Sequence, residues 1–191
     1  GGIQSTTNAT RQSTEEELTL KAKQALDEML HFGVTTMEAK SGYGLATEHE
    51  LKALQVIKNL NDRHVMDIVA TFMGAHLVPA EYKSNRAEYI RLVCEEMMPK
   101  VKEQGIAKFC DVFCEADTFT AEESRQVLEA GLKYGLRPKI HADEIEAIGG
   151  SVLAGELGAI SAEHLIVCPP DGIASLAKGG VVACLLPATS F

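Results

Sequence analysis

PKIHADE, residues 138–144, sets a short apolar-flanked strand directly before a histidine and two carboxylates. Strands of soluble domains usually run out into turns of Gly, Asn or Pro. This one runs into groups that bind metals and move protons. Separating helical from strand periods around it gives a repeating order along the chain. Helical spacing over Glu15–Phe32 is followed by the β-branched run VTTMEAK, residues 34–40, and Ser13-Thr14 with the acidic run after it is a plausible cap. The alternation continues with a helix over Glu48–Leu60 and a strand in VMDIVATFMGAH, then a helix over Asn85–Gln104 and AKFCDVFCE. A helix over Ala121–Tyr134 precedes LRPKIHADE, one over Ala147–Leu157 precedes AISAEHL, and one over Asp171–Lys178 precedes GVVACLLP.

Six strands alternating with helices call for a parallel sheet with right-handed crossovers. No strand leads into GxGxxG, which argues against a dinucleotide fold. The carboxyl ends of the strands carry Glu38, Lys40, Ser41 and Tyr43, then His76, then Glu115, then His141, Asp143 and Glu144, then Glu163 and His164. The amino ends carry ordinary turn residues. An open doubly wound sheet gathers ligand groups at one switch point, whereas a (β/α) barrel gathers them at every carboxyl end. The expected fold is therefore α/β, an incomplete TIM-type (β/α) barrel of about six units.

The 191 residues are 46% hydrophobic and 24% charged, enough to bury a single core. A formal charge of −9 argues against a nucleic-acid partner, and no run is apolar enough to span a bilayer. Five cysteines in apolar segments read as buried free thiols of a cytoplasmic protein, with a Cys110/Cys114 metal clip the weaker alternative. The chain opens without Met and stops after an apolar run, which reads as a segment of a longer protein.

His141 at a strand end can give a neutral nitrogen to a metal, or it can be a core histidine bonded to a carboxylate such as Asp143. His164 on the next strand and His76 further round favour a shared pocket, whereas His31, His49 and His64 read as surface residues. Glu144 is either a hydrogen-bonding or proton-shuttling carboxylate or a helix N-terminal charge, and spacing does not choose. Asp143 points away from the mouth, supporting neighbours or capping the helix. Tyr43, between two glycines in KSGYGL, can swing over a pocket or pack as a loop aromatic. Glu38 and Lys40 read as an interior pair, and Glu115 as the orienting partner of a histidine.

Taken in register, GGIQSTTNATR, GVTTMEAKSGYGL, ATFMGAHLVPAEY, FCDVFCE, PKIHADE, GAISAEHL and GVVACLLP resemble the imidazolonepropionase family of the amidohydrolase superfamily over essentially the whole chain. The resemblance implies a metal-dependent hydrolase that opens 4-imidazolone-5-propanoate to N-formimidoyl-L-glutamate in histidine degradation. It implies one divalent ion, Zn or Fe, with His141 as a ligand. The family's other ligands, a His-x-His pair and an aspartate, would lie before Gly1 and after Phe191, as would the first and last barrel strands and a small β-sandwich domain. Tyr43, His76 and Glu144 match substrate-binding positions, with Glu144 also catalytic, and His164 matches the histidine that positions or deprotonates the attacking water. A homodimer is implied for the intact protein. Asn8 stands where arginine is frequent, which would alter a charge near the substrate carboxylates, while Glu163 for aspartate and Ala188 for glycine look conservative. Two alternatives stay open: a catalytically inactive barrel segment, or a nucleobase deaminase or other cyclic amidase of the same superfamily.

Overall fold

A computed structural model describes residues 2–190 of the chain. The helix α1 (Ile3–Gln12) leads into α2 (Glu15–His31) and the first strand, β1 (Thr36–Lys40). Then come α3 (Thr47–Asn61), β2 (Asp67–Ala75), and α4 (Arg86–Leu92), which runs through a π-helical turn at Val93–Met97 into α5 (Met98–Gln104). The rest alternates: β3 (Phe109–Cys114), α6 (Ala121–Lys133), β4 (Arg137–Ala142), α7 (Gly150–Leu157), β5 (Ser161–His164), α8 (Pro170–Gly179) and β6 (Val182–Cys184).

The strands form one sheet in the order β1-β2-β3-β4-β5-β6, every pairing parallel. The sheet is curled. Three strand spacings separate β1 from β4, about 14 Å in a flat sheet, yet Lys139 Nζ on β4 lies 3.0 Å from Glu38 Oε2 on β1. Period two divides each strand between the faces. Cys110, Val112 and Cys114, then Pro138, Ile140 and Ala142, are buried on the convex side under the helices. Glu38, Lys40, Thr71, Asp111, Lys139, His141 and Glu163 meet one another on the concave side. The expected barrel wall of six units is what the chain forms.

Helix starts follow the sequence signals. Thr14 accepts from Glu17 N at 3.2 Å while Glu17 returns to Thr14 N at 2.8 Å, and Thr120 and Glu123 repeat the reciprocal box on α6. The expected single helix over 85–104 is continuous but widened ahead of Pro99. That residue lacks an N–H and crowds the carbonyl four residues back, which the extra residue of a π turn accommodates. The polar, Thr-rich α1 carries no helical signal in its sequence; only Thr7 on it is buried. No described helix is long and apolar enough to cross a membrane. All five cysteines are free; Cys110 and Cys114 are buried, whereas Cys94, Cys168 and Cys184 are partly exposed rather than buried as expected.

Candidate active site

The concave interior is a layered ion network. Lys40 Nζ lies 2.9 Å from Glu38, 2.6 Å from Asp111 and 3.8 Å from Glu163, and Lys139 Nζ lies 3.0 Å from both Glu38 and Glu163. Thr71 and Ser161 donate to Glu38 and Glu163. Burial disfavours both ammonium groups, but the facing carboxylates outweigh it and raise both lysines above their ordinary pKa. The Glu38–Lys40 pairing read from the sequence is present. Three carboxylates face two lysines, so the layer carries one surplus negative charge.

His141 stands above that surplus, its Nδ1 3.0 Å from Asp111 Oδ1. A carboxylate accepts, so Nδ1 carries a proton, and in the neutral ring Nε2 keeps a lone pair. Asp111 is fully buried; burial would raise its carboxyl, but His141 and Lys40 prevail and hold it down to about 2. Burial likewise opposes the imidazolium of His141, and the Asp111 carboxylate reverses that, leaving the pKa above its ordinary value.

From His141 a row of rings runs along the carboxyl-end rim. His164 is 5.4 Å away between centroids, Phe113 6.2 Å on the other side, His76 6.1 Å beyond Phe113, and Tyr43 4.9 Å beyond His76 in an edge contact. Glu144 joins through Oε1, 3.6 Å from His164 Nδ1. The structure thus brings Tyr43, His76, His141, Glu144 and His164 to one mouth. Burial lowers the His164 pKa, and Glu144 opposes the fall without cancelling it. His76 is also lowered by burial; its Nδ1 lies 2.9 Å from Gly42 O, and a carbonyl only accepts, so the neutral ring keeps its lone pair on Nε2.

Several expectations are corrected. The glycines flanking Tyr43 do not free its loop. A Cβ on Gly42 would sit 2.9 Å from Met73 O and one on Gly44 2.6 Å from the His49 carbonyl carbon, so both are there for close packing. Glu115 meets no histidine; its carboxylate accepts from Ile145 N at 2.9 Å and Glu146 N at 3.0 Å, holding the loop that carries Glu144. Those bonds keep the loop out of helix, α7 begins at Gly150 rather than Ala147, and Glu144 is no helix N-terminal charge. Asp143 is fully buried with both carboxylate oxygens unpartnered and caps nothing. His64 is not a surface residue, because its side chain is 7% exposed, with Nε2 3.2 Å from Asp27 and Nδ1 accepting from Met66 N. Asn8 is exposed on α1.

Asp111 and the inward direction of Glu163 were missed; both follow from carrying the period of two through CDVFC and SAEH. Together with His141 they form the group, among the described residues, whose ligand atoms lie within 4.8 Å of one another, and it contains no cysteine. These residues fit a cation. The layer has a surplus negative charge, Glu163 Oε2 and His164 Nδ1 are buried without a hydrogen bond, and Asp111 fixes His141 so that its neutral ring has Nε2 available.

No protein-family profile matches the chain. Over all 191 residues it is 56% identical to the imidazolonepropionases of Alkaliphilus metalliredigens (strain QYMF) and Geobacillus sp. (strain WCH70), and 53% identical to that of Streptococcus gordonii. The chain spans about 45% of the length of these curated relatives. Among solved structures, a Xaa-Pro dipeptidase with methionine bound in its active site aligns over 78% of this chain and 41% of its own, with TM-score 0.54 at 15% identity, a likeness of fold.

Proposed function

We propose, from its 56% identity over all 191 residues to imidazolonepropionases of which it spans about 45%, that its mouth binds a cyclic amide whose ring the full-length protein opens with water. The substrate is 4-imidazolone-5-propanoate and the product N-formimidoyl-L-glutamate. The observation that carries this reading is the single rim joining Tyr43, His76, His141, Glu144 and His164 above a surplus negative charge.

Tyr43 offers its hydroxyl and His76 its Nε2 lone pair, a donor and an acceptor 4.9 Å apart between rings for the polar edge of a planar heterocycle. His141, braced by Asp111, would hold one divalent ion, Zn or Fe, through Nε2; when bound, such an ion lowers the pKa of a water toward about 7. His164 is neutral near pH 7 because burial lowers its pKa, so it can take the proton of the attacking water. Glu144, 3.6 Å from His164 Nδ1, receives that proton and delivers it to the leaving ring nitrogen. The water oxygen ends on the ring carbonyl carbon, the C–N bond breaks, and the nitrogen leaves protonated.

The test is a substrate panel with the protein at its natural length, comparing imidazolone propanoate with cytosine, guanine and hydantoins. Formation of formimidoylglutamate, abolished by chelation and restored by Zn or Fe, is the expected result. Turnover confined to a nucleobase would replace this assignment with a deaminase.

A further inference from the structure

We infer that Glu50 on α3 is the positioning residue of this mouth, fixing the Tyr43 loop directly and His76 through Gly42. The inference rests on the proposed roles of Tyr43 and His76 in binding substrate. Glu50 is fully buried, a place where carboxylates are almost never found unpaired. Its Oε1 accepts from Gly44 N at 2.8 Å and Leu45 N at 2.7 Å, and its Oε2 accepts from Gly42 N at 2.9 Å. Burial drives its pKa up against the pull of the Ser41 hydroxyl and these amide donors.

The carbonyls of the same residues are tied from the other side. Gly42 O accepts from His76 Nδ1 at 2.9 Å, Gly44 O from Arg11 Nε at 2.7 Å, and Leu45 O from Arg11 Nη2 at 3.1 Å. Leu45 is held in the left-handed region at φ 50°. A loop that needed only to connect β1 to α3 would not require a buried carboxylate, whose desolvation is costly. Here that cost fixes the ring of Tyr43 against His76. One residue, Gly42, carries the coupling: its N–H meets Glu50 and its carbonyl sets the protonated nitrogen of His76.

Glu50→Gln tests this in the natural-length protein. The amide oxygen can keep Gly44 and Leu45, which sets the NH2 group against the Gly42 N–H, donor against donor. The Gly42, Gly44 and Leu45 amides should exchange at least about tenfold faster while amides in β3 and β4 do not change. KM should rise about tenfold with kcat within about threefold. Tyr43→Phe should also raise KM, and the double variant should lose less than the product of the two single effects, because Glu50 acts through the tyrosine. Unchanged exchange at the three amides overturns the inference. So does an unchanged KM in Glu50→Gln when Tyr43→Phe raises it, or a double variant whose losses multiply. An unchanged KM in Tyr43→Phe instead overturns the binding role of Tyr43, and the exchange rates then decide Glu50 by themselves. If Glu50→Gln does not fold, Arg11→Lys keeps the charge facing Glu81, 2.7 Å away, but cannot fork two carbonyls. It should raise KM and speed exchange at the same amides, and no change in either overturns the inference.

Discussion

The two ends of the same six strands are built to different standards. Where helices return to strands, every left-handed position is a glycine: Gly33, Gly105, Gly135, Gly158 and Gly180. These are relaxed turns, with no side chain strained to make them. Where strands lead out to helices, the left-handed residues include Leu45, Asp143, His164 and Leu165, at φ 50°, 53°, 74° and 56°. The same end holds the unpartnered buried atoms of Asp143 and His164, while the opposite end holds Gln104 Oε1. Strain and unsatisfied polar groups persist only where surrounding structure enforces them, and they cluster where chemistry is done. The difference teaches which end of the wall is scaffold and which is site, without reference to any relative.

Substitutions on the two ends should therefore separate activity from stability. The largest effect is expected at His141→Ala, which should lower kcat/KM of the natural-length protein at least about a hundredfold, with metal content falling in parallel by elemental analysis. Retained turnover would break the contrast by removing its chemical end. Asp143→Asn comes next. It keeps a residue type that tolerates φ 53° and removes a buried carboxylate without partners, so it should stabilise by about 1–2 kcal/mol in urea unfolding. A loss of stability would mean that the carboxylate has a partner in solution. On the opposite end, Gly135→Ala at φ 81° should cost about 1 kcal/mol and leave kcat/KM within about twofold.

The smallest effect sharpens the contrast through pH. Glu123, at the start of α6, accepts from Arg86 Nη2 at 2.7 Å and Thr120 N at 2.9 Å. Burial pushes its carboxyl up, but Arg86 and the Thr120 amide outweigh that and hold it below its ordinary 4.5. A depressed folded-state pKa gives stability that is complete above the unfolded value and is lost as pH falls through the folded one. Glu123→Gln should thus cost about 1 kcal/mol at pH 7, with the gap to the unsubstituted protein closing below pH 4.5. A gap independent of pH would assign the loss to packing.

Much of this contrast was legible in the sequence because it depends on period. Strands β1 to β6 follow from apolar and β-branched runs, and the rim follows from what stands at their ends, so the placing of Tyr43, His76, His141 and His164 on one rim is legible without coordinates. Residues whose meaning depends on long-range burial were not. Glu50 in TEHEL reads as an acid in the first turn of a helix, and only the fold buries it under a loop. Asp111 lay between two cysteines that drew attention to the convex face. Glu115 stands at a strand end like the catalytic candidates, but its carboxylate turns to backbone amides of the next loop. The glycines around Tyr43 signal close packing and freedom with the same letters, and only the distances to Met73 and His49 decide between them.

The interior lysines carry one more consequence. An amine reacts with carbon dioxide, cyanate or an acyl donor only through its free lone pair, and Lys40 and Lys139 are kept protonated by the carboxylates around them. The floor of the mouth is therefore less reactive toward electrophiles than an ordinary surface lysine, although the Lys40 side chain remains 23% exposed. A reactive carbonyl compound entering the cavity would meet nucleophiles only at the rim, which protects the enclosed lysines from covalent capture by what passes above them.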